Sequence, residues 1–491
     1  MSTIAKQNYR GVYHFSPREK WMNDPNGMVY FEGEYHLFFQ HHPDGMTWGP
    51  MHWGHAVSND LVSWEELPIA LAPDELGMIF SGSAVVDWNN TTEFFEDKPG
   101  LVAIFTHHLE MPDGKPAIQR QSLAYSKDKG RTWTRYEGNP VLEHESFIDF
   151  RDPKVFWHKE TNQWVMIIAC GQTVCLYHSP DLKSWTFASE FGEGIGSHDG
   201  VWECPDLFPL AIDGDPSNTK WVMLVSIGAD PAFVEGSRTQ YFTGDFDGKV
   251  FTPDEDSMNV RWLDYGRDNY AGVSWSDMPA EDGRRLFIGW MSNWMYANQT
   301  PTEVFRGAMT IARELYLESR NGEVILVQKP AREMESARIR VLSMKDAAVK
   351  DINARLNELN LESYEIVAQF PRHKSASFKV RVGAGQQTVI GIHGDTEELY
   401  VDRMASGQHD FHEHFQGHHS AKLKAAGPSY DLRIYVDRSS VEVFSNGGQA
   451  VITDLIFPKP ESSGIAVFAE NDLLISLDIY KLIPADKQEK N

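Results

Sequence analysis

A short motif recurs in the first half of the chain, each time directly after an apolar segment. Ser-Asn-Asp-Leu-Val-Ser-Trp at 58–64 returns as Ser-Pro-Asp-Leu-Lys-Ser-Trp at 179–185, with a looser copy at 126–133 and a fourth candidate at 244–251. The Asp and Ser side chains can bond the turn backbone, and the aromatic residue can fill space between sheets. The spacing of the copies suits the four-stranded blades of a β-propeller.

Short strands surround these copies. Long apolar stripes with helical period are absent, and clusters of Gly, Asp, Asn and Pro separate the apolar segments. The segments are HLFFQ at 36–40, AVVDW at 84–88, LVAIFTH at 101–107, WVMIIACG at 164–171, WVMLVSIG at 221–228 and RLFIGWM at 285–291. Residues 1–330 are therefore predicted to form a propeller of about five blades.

The pattern changes beyond residue 330. Residues 331–345 belong to a charged, helical-looking stretch and are predicted to be a linker. Residues 346–491 contain segments that alternate apolar and polar residues, with a hairpin turn at 446–448, and are predicted to form a β-sandwich. The predicted fold class is all-β: a five-bladed β-propeller followed by a C-terminal β-sandwich.

Composition excludes some partners. The net charge of −25 over 491 residues should repel nucleic acid and anionic membranes, and no apolar run approaches the roughly 20 residues of a membrane helix. Three cysteines are too few for a disulfide framework. The first 15 residues show no apolar signal-peptide core, so a cytoplasmic location is expected, with secretion as the alternative if a signal peptide is missing from this sequence.

Three acidic residues stand beside prolines in polar or aromatic surroundings. They are Asp24 in Trp-Met-Asn-Asp-Pro-Asn-Gly at 21–27, Asp152 in Asp-Phe-Arg-Asp-Pro at 149–153, and Glu203 in Trp-Glu-Cys-Pro-Asp at 202–206. The first could be only a β-turn, and the second only a surface salt bridge. In a propeller, however, equivalent strand ends converge on the central axis, so three distant acids can meet at one mouth.

Three carboxylates around one pocket suit glycoside hydrolysis: one attacks the anomeric carbon, one protonates the leaving oxygen, and the third orients the sugar. A non-catalytic sugar-binding propeller would lack one of the acids. His52 and His55 have no clear third ligand, so neither a metal nor a cofactor is predicted.

These motifs resemble those of glycoside hydrolase family 32, which contains invertases, exo-inulinases, levanases and sucrose-6-phosphate hydrolases. The resemblance rests on the order of four motifs and a C-terminal segment: W-M-N-D-P-N-G at 21–27, F-S-G-S at 80–83, R-D-P at 151–153, W-E-C-P-D at 202–206 and L-R-I-Y-V-D-R-S-S-V-E-V-F at 432–444. It implies the same propeller and sandwich that the repeats predict.

The resemblance also implies roles. Asp24 would be the nucleophile that forms a fructosyl-enzyme, Glu203 the acid/base, and Asp152 a stabiliser of the transition state beside Arg151. The reaction would retain the anomeric configuration, with the Asp24 and Glu203 carboxyls about 5–5.5 Å apart. Further residues expected in the fructose pocket are Asn23, Gln40, Trp48, Phe80, Ser81, Trp290 and Trp294. The last two stand four apart on a predicted strand and would face the same side.

The expected substrates are fructans (levan or inulin), fructo-oligosaccharides or sucrose. The segments 289–298 and 406–412 look more similar to levanases and exo-inulinases than to plant or yeast invertases. Fructosyl transfer through the same intermediate and hydrolysis of sucrose 6-phosphate remain alternatives, although no basic cluster for a phosphate is evident near the motifs. Whether the sandwich builds a homodimer, and whether cleavage is exo or endo, stay open.

Overall fold

The computed structural model of the protein describes residues 9–96, 98–424, 427–470 and 472–483. The outer ends of the two predicted domains, residues 1–8 and 484–491, lie outside the described residues, as does half of the segment searched for a signal peptide. A five-bladed propeller is followed by a β-sandwich. The predicted fold class is confirmed.

Each propeller blade is built from four antiparallel strands in chain order. Blade one has β1 Lys20–Phe31, β2 Glu34–His42, β3 His52–Ser58 and β4 Glu65–Leu71. Blade two has β5 Met78–Val86, β6 Leu101–Leu109, β7 Ile118–Ser126 and β8 Thr134–Arg135, with β9 Leu142–Glu143 also paired to β7. Blade three has β10 Phe150–His158, β11 Gln163–Cys170, β12 Val174–Ser179 and β13 Thr186–Phe191.

Blades four and five share one sheet through a single parallel pair, Ile212 with Leu317. Blade four has β14 Trp202–Ile212, β15 Asp215–Ile227, β16 Arg238–Phe246 and β17 Phe251–Pro253. Blade five has β18 Tyr270–Ser274, β19 Arg285–Trp290, β21 Arg313–Arg320 and β22 Glu323–Pro330, while β20 Phe305–Arg306 pairs in parallel with β1. The ring closes there, so the first strands of all five blades surround one axis.

The recurring motif forms the connection between the third and fourth strands of blades one to three. Asp60, Asp128 and Asp181 each accept hydrogen bonds from backbone N–H groups two to four residues further along the chain. The residue after each of these aspartates has a φ of 60° to 62°. Asp247 makes the same turn in blade four. The sequence repeat therefore reports one turn geometry, as predicted.

The C-terminal sandwich packs two antiparallel sheets around a continuous apolar core. The six-stranded sheet has, in order, β23 Arg338–Ala348, β33 Leu474–Leu482, β24 Tyr364–Pro371, β29 Ser429–Val436, β30 Ser440–Ser445 and β31 Ala450–Leu455. The five-stranded sheet has β28 His418–Lys422, β27 Glu398–Ala405, β26 Gln386–His393, β25 Ala376–Gly383 and β32 Gly464–Ala469.

Helices are short. The α-helix Val349–Leu356 packs Ile352 and Leu356 against the sandwich core. The 3₁₀ turns are Pro112–Gly114, Glu255–Met258, Ala297–Gln299, Arg332–Glu335 and Asn446–Gly448, and the last of these joins the hairpin strands β30 and β31 as predicted. Within the described ranges, no helix is long and apolar enough to cross a membrane.

The helical character predicted for the linker is wrong. Residues 331–345 contain one 3₁₀ turn and the first part of β23, an edge strand paired with β33. The charges that suggested a helix stand on this strand: Arg338 pairs with Glu365 at 2.8 Å and lies over the ring of Tyr480. Edge strands commonly carry such charges, because charged side chains discourage pairing with other chains.

One disulfide is present, between Cys170 at the end of β11 and Cys175 in β12. The sparse cysteine content did not predict it. Cys204 is free and buried.

Buried charges join the propeller to the sandwich. Arg313 of blade five contacts Asp264 at 3.1 Å and Glu442 of the sandwich at 2.6 Å. His14, ahead of blade one, lies between Glu442 at 2.7 Å and Asp437 at 2.8 Å. We call these five residues the interface cluster. Each charge in it has a partner of opposite sign, which a buried charge needs.

Candidate active site

The first strand of every blade loses its regular pairing near the axis, at positions that correspond to within one residue. The register breaks between Met22 and Pro25, Ile79 and Gly82, Arg151 and Lys154, Glu203 and Asp206, and Tyr270 and Val273. Such bulges redirect side chains, and Pro or Gly inside a strand is typical of them. One local irregularity, repeated five times, thus shapes the mouth of the propeller.

The Pro or Gly found at each break aligns five tripeptides, which we call the axial tripeptides. They are Asn23-Asp24-Pro25, Phe80-Ser81-Gly82, Arg151-Asp152-Pro153, Glu203-Cys204-Pro205 and Tyr270-Ala271-Gly272. Asp152, Cys204 and Ala271 have φ values of 66°, 46° and 53°, a conformation that is rare outside glycine. All three predicted catalytic acids stand in these tripeptides, so convergence of distant acids at one mouth is what the structure shows.

A cavity of about 480 Å³ opens at this mouth. It is lined by Asn23, Asp24, Gln40, Trp48, Phe80, Ser81, His108, Gln119, Asp149, Arg151, Asp152, Glu203, Trp294 and Asn298. The structure therefore brings together every predicted site residue except Trp290.

Asp24 lies on the floor of the cavity and is held on both oxygens. Ser81 donates to its Oδ2 at 2.7 Å and Asn23 donates to its Oδ1 at 3.0 Å. Asn23 is itself fixed by the indole N–H of Trp21 at 2.8 Å. Burial and then the charge of Glu203 raise the pKa of Asp24, while the hydrogen bonds from Ser81 and Asn23 oppose that rise.

Asp152 faces Asp24 across Cys204. The backbone N–H of Cys204 donates to Asp152 Oδ2 at 3.0 Å, and the Cys204 Sγ lies 3.5 Å from Asp152 Oδ2 and 3.6 Å from Asp24 Oδ2. Burial first, and then the charges of Glu203 and Asp24, raise the pKa of Asp152 to about 7 against the opposing effect of Arg151. Burial and the same carboxylates raise the pKa of the Cys204 thiol well above its usual value, so it is a neutral hydrogen-bond donor and not a nucleophile.

Glu203 lies nearer the opening, with a side chain that is 21% exposed. Arg151 Nη2 contacts its Oε1 at 2.9 Å, and the Tyr270 hydroxyl donates to its Oε2. Arg151 also bonds Asp149. Burial would lower the pKa of Arg151, but Glu203, Asp152 and Asp149 together raise it, so the guanidinium stays charged. Glu203 is thus held at both oxygens by groups from two other blades.

Aromatic and amide side chains form the exposed rim. Trp48 is 38% exposed, and its backbone N–H donates to the Asn298 side chain at 2.9 Å. Trp294 lines the same wall and stacks on Trp21 at 5.9 Å between ring centroids.

The expected contact of Trp290 with the pocket is corrected by the structure. Trp290 is 1% exposed and packs beneath Trp294. The prediction failed because β19 ends at Trp290, so the alternation of a strand does not extend to residue 294.

Sequence reasoning missed several lining residues. His108 stacks on Phe80 at 4.2 Å, and Gln119 bonds the His108 ring at 3.0 Å. Asn298 is the last residue of the segment 289–298, which resembles levanases and exo-inulinases. That resemblance was the sequence signal that pointed to this part of the chain.

In the described part of the chain, no group of three or more His, Cys, Asp or Glu side chains is arranged to hold a metal ion. His55, one of the histidines considered, instead bonds His36 at 3.0 Å in the buried core of blade one.

Two family models match the chain. Glycosyl hydrolases family 32 N-terminal domain matches residues 14–330, and Glycosyl hydrolases family 32 C terminal matches residues 333–481. A levanase from Bacillus subtilis (strain 168) is 51% identical over 478 residues, which are 96% of this chain and 69% of the levanase. A levanase from Bacillus sp. (strain L7) is 40% identical over 97% of this chain, which spans only 52% of that protein.

A solved structure is similar over nearly its whole length. The exo-inulinase from Aspergillus awamori superposes with a TM-score of 0.86 at 36% identity, covering 97% of this chain and 98% of that chain. Together with the two family models, these similarities establish that the chain belongs to glycoside hydrolase family 32.

Proposed function

We propose that this retaining β-fructosidase removes terminal fructosyl units from fructans and their oligosaccharides, with Asp24, Glu203 and Asp152 in three separate roles. The observation that carries the proposal is that three carboxylates line one pocket, on axial tripeptides of three different blades, with Asp24 and Asp152 buried and Glu203 nearer the opening. A pocket closed at its deep end accepts a chain end more readily than the middle of a polymer, which favours exo cleavage.

Asp24 is suited to be the nucleophile. Its side chain is deep in the pocket, and the hydrogen bonds from Ser81 and Asn23 hold the carboxylate in one orientation. A fixed, water-poor carboxylate can attack the anomeric carbon of a fructosyl unit and form a covalent ester, as retention of configuration requires.

Glu203 is suited to be the acid/base. Its greater exposure puts it where the leaving group departs and water enters, and Arg151 and Tyr270 hold both of its oxygens. The acid protonates the departing oxygen and then activates water for hydrolysis of the ester.

Asp152 is suited to hold sugar hydroxyls and to stabilise positive charge at the transition state. Its Oδ2 already accepts from the Cys204 backbone, which orients the carboxylate toward the pocket. It is not assigned a proton transfer.

Two alternatives differ in their support. Sucrose 6-phosphate would need a cation for its phosphate, but among the described lining residues the one Arg or Lys is Arg151, which already pairs with Glu203 and Asp149. Fructosyl transfer uses the same intermediate and differs only in the acceptor, so product analysis has to separate it from hydrolysis.

One experiment tests substrate, mode and stereochemistry together. Levan, inulin, sucrose and sucrose 6-phosphate are incubated with the protein, products are resolved over time, and NMR follows the anomer released first. Free fructose from levan or inulin, released first as the β-anomer, is expected. Long oligosaccharides as first products would overturn exo cleavage, new fructosyl chains would favour transfer, and first release of the α-anomer would overturn the role of Asp24.

A further inference from the structure

One wall of the pocket belongs to a segment with little regular structure of its own. Residues 291–299, which we call the rim loop, follow β19 and contribute Trp294 and Asn298 to the cavity. Within the loop the regular structure is the 3₁₀ turn Ala297–Gln299. A single turn of this kind is a weak local constraint, so the position of the loop depends on what packs against it.

The side of the rim loop away from the pocket is attached to the sandwich by a buried polar network. The Tyr296 hydroxyl donates to Asp268 Oδ1 at 2.7 Å and accepts from Arg403 Nη2 at 3.0 Å. Arg403, on strand β27 of the sandwich, also contacts Asp268 Oδ2 at 2.7 Å. Tyr296 is 1% exposed, and Arg403 and Asp268 are fully buried, so the network is shielded from water.

Apolar side chains of the sandwich cover the same side. Phe415 meets the Tyr296 ring edge-on at 5.3 Å, and Phe411 does so at 6.4 Å. These two phenylalanines pack on each other at 4.5 Å; Phe415 belongs to a buried cluster with Met291, and the partly buried Phe411 packs against that cluster. The guanidinium of Arg403 lies 4.1 Å from the centre of the Phe415 ring, which joins the polar and apolar contacts.

The rim loop also determines where Trp48 stands. Asn298 accepts the Trp48 backbone N–H, so two exposed members of the rim are joined to each other and, through Tyr296, to the sandwich. The three carboxylates lie deeper, around the sugar that reacts. The rim therefore faces whatever extends beyond that first sugar.

We propose that Arg403 and Phe411 of the sandwich are positioning residues for the leaving-group side of the pocket. By holding the rim loop from behind, they place Trp294 and Asn298 against the second sugar of an oligosaccharide, and so they set the preference for fructosyl chains over simple fructosides. This inference rests on the proposed function, and it assigns a task in substrate selection to the sandwich.

The test compares two substrates in one enzyme preparation: methyl β-D-fructofuranoside, whose leaving group is too small to reach the rim, and an inulin-type trisaccharide. Phe411→Ala removes the packing and leaves the catalytic carboxylates untouched, while Phe411→Leu keeps apolar bulk. Phe468→Ala is the matched control, because Phe468 is a sandwich phenylalanine that is 50% exposed and contacts Lys379 instead of the rim loop.

We expect kcat/KM for the trisaccharide to fall about three- to tenfold in Phe411→Ala, mainly through KM, with the methyl fructoside unchanged. Phe411→Leu should recover most of the loss, and Phe468→Ala should show none. The ratio between the two substrates does not depend on the fraction of folded enzyme, so a purely structural role would leave it unchanged. An unchanged ratio, or the same change in Phe468→Ala, would overturn the inference.

Hydrogen exchange gives a second readout that does not require activity. Amides of the rim loop such as Ala297, which bonds Asn293 at 2.9 Å, should exchange faster in Phe411→Ala and not in Phe468→Ala. If the rim-loop amides exchanged at the wild-type rate in Phe411→Ala, the positioning role of Phe411 would be overturned, even if the turnover of the trisaccharide had changed. If the wild-type protein cleaved neither substrate, the proposed function would fail by itself, and exchange would still decide whether the sandwich holds the loop.

Discussion

The mouth of the propeller and the interface cluster both contain buried carboxylates, but the carboxylate pKa values shift in opposite directions at the two sites. At the mouth, Asp24, Asp152 and Glu203 share Arg151 as a cation, and burial together with mutual repulsion raises the pKa of both aspartates. At the interface, burial also raises carboxylate pKa values, but His14 outweighs it at Asp437, and both aspartate and cation remain charged.

The difference separates two uses of a buried acid. An acid paired with its own cation stabilises a particular arrangement of domains, because removal of either partner leaves a charge without compensation. Acids crowded around too few cations are costly to the folded state, and such strain is typical of catalytic sites, where perturbed pKa values are useful. The following changes should break or sharpen this contrast, from the largest loss to the smallest, and the last should be a gain in stability.

The largest effect should follow from substitutions of the catalytic carboxylates at the mouth, and it should be an effect on kcat. Asp24→Asn and Glu203→Gln should each lower kcat by about 10⁴-fold or more, because each removes a group that acts on the reacting bond. Thermal unfolding should show that both variants stay folded. Substantial turnover by Asp24→Asn, measured as fructose released from inulin, would contradict its assignment as nucleophile.

A substitution in the interface cluster should lower the stability of the protein and leave its catalytic rate nearly unchanged. Arg313→Met leaves Asp264 buried without its cation and leaves Glu442 with His14 alone, and we expect a loss of about 3–5 kcal/mol in the free energy of unfolding. At temperatures where the variant is folded, kcat should change little. Denaturant unfolding and assays on the same samples check this, and a large loss of kcat with normal stability would refute the contrast.

His14 gives the interface a pH signature. Burial would lower its pKa, but the hydrogen bonds and charges of Asp437 and Glu442 raise it from 6.5 to about 9. The protonated histidine therefore stabilises the protein fully below pH 6.5, and this contribution is lost as the pH rises through 9. His14→Gln should cost about 3 kcal/mol at pH 6 and nearly nothing at pH 10. A cost independent of pH would show that His14 contributes only packing.

At the mouth, stability should also fall as the pH rises, but over a lower pH range, and removal of the titrating group should stabilise the protein instead of destabilising it. Between pH 3.8 and about 7 the folded protein keeps a proton on Asp152 that the unfolded chain has lost, so wild-type stability falls as the pH rises through this range. Asp152→Asn does not titrate, and it should be more stable than the wild type by about 4 kcal/mol at pH 8 and similar to it at pH 4. Unfolding curves at the two pH values test this. Destabilisation at pH 8 would mean that Arg151 already compensates Asp152.

Much of the fold could be predicted from the sequence, because its signals are local. The Asp of the repeated turn binds the backbone within four residues, so three copies were enough to infer blades. The same holds for Asp24 and Asp152, whose prolines mark the bulges of the axial tripeptides. What escaped prediction depends on contacts between distant segments or on where a strand ends.

Three residues illustrate that limit. Trp290 was expected beside Trp294, but the end of β19 buries it. The contact of Tyr270 with Glu203 depends on the packing of blade five beside blade four. Arg338 looked helical until its partner Glu365 showed it to be on an edge strand. None of these outcomes is encoded within a few neighbouring residues.

The five axial tripeptides also have a consequence for how evolution or mutagenesis can alter the pocket. Because each blade presents its residues through a bulge of its own, the residues of one wall can change without rebuilding the other four blades. Ala271 stands where the other blades carry Asp24, Ser81, Asp152 and Cys204, and it is fully buried and does not line the cavity. At its axial tripeptide, blade five therefore acts on the pocket indirectly, through the Tyr270 hydroxyl that holds Glu203, and none of the three residues lines the cavity.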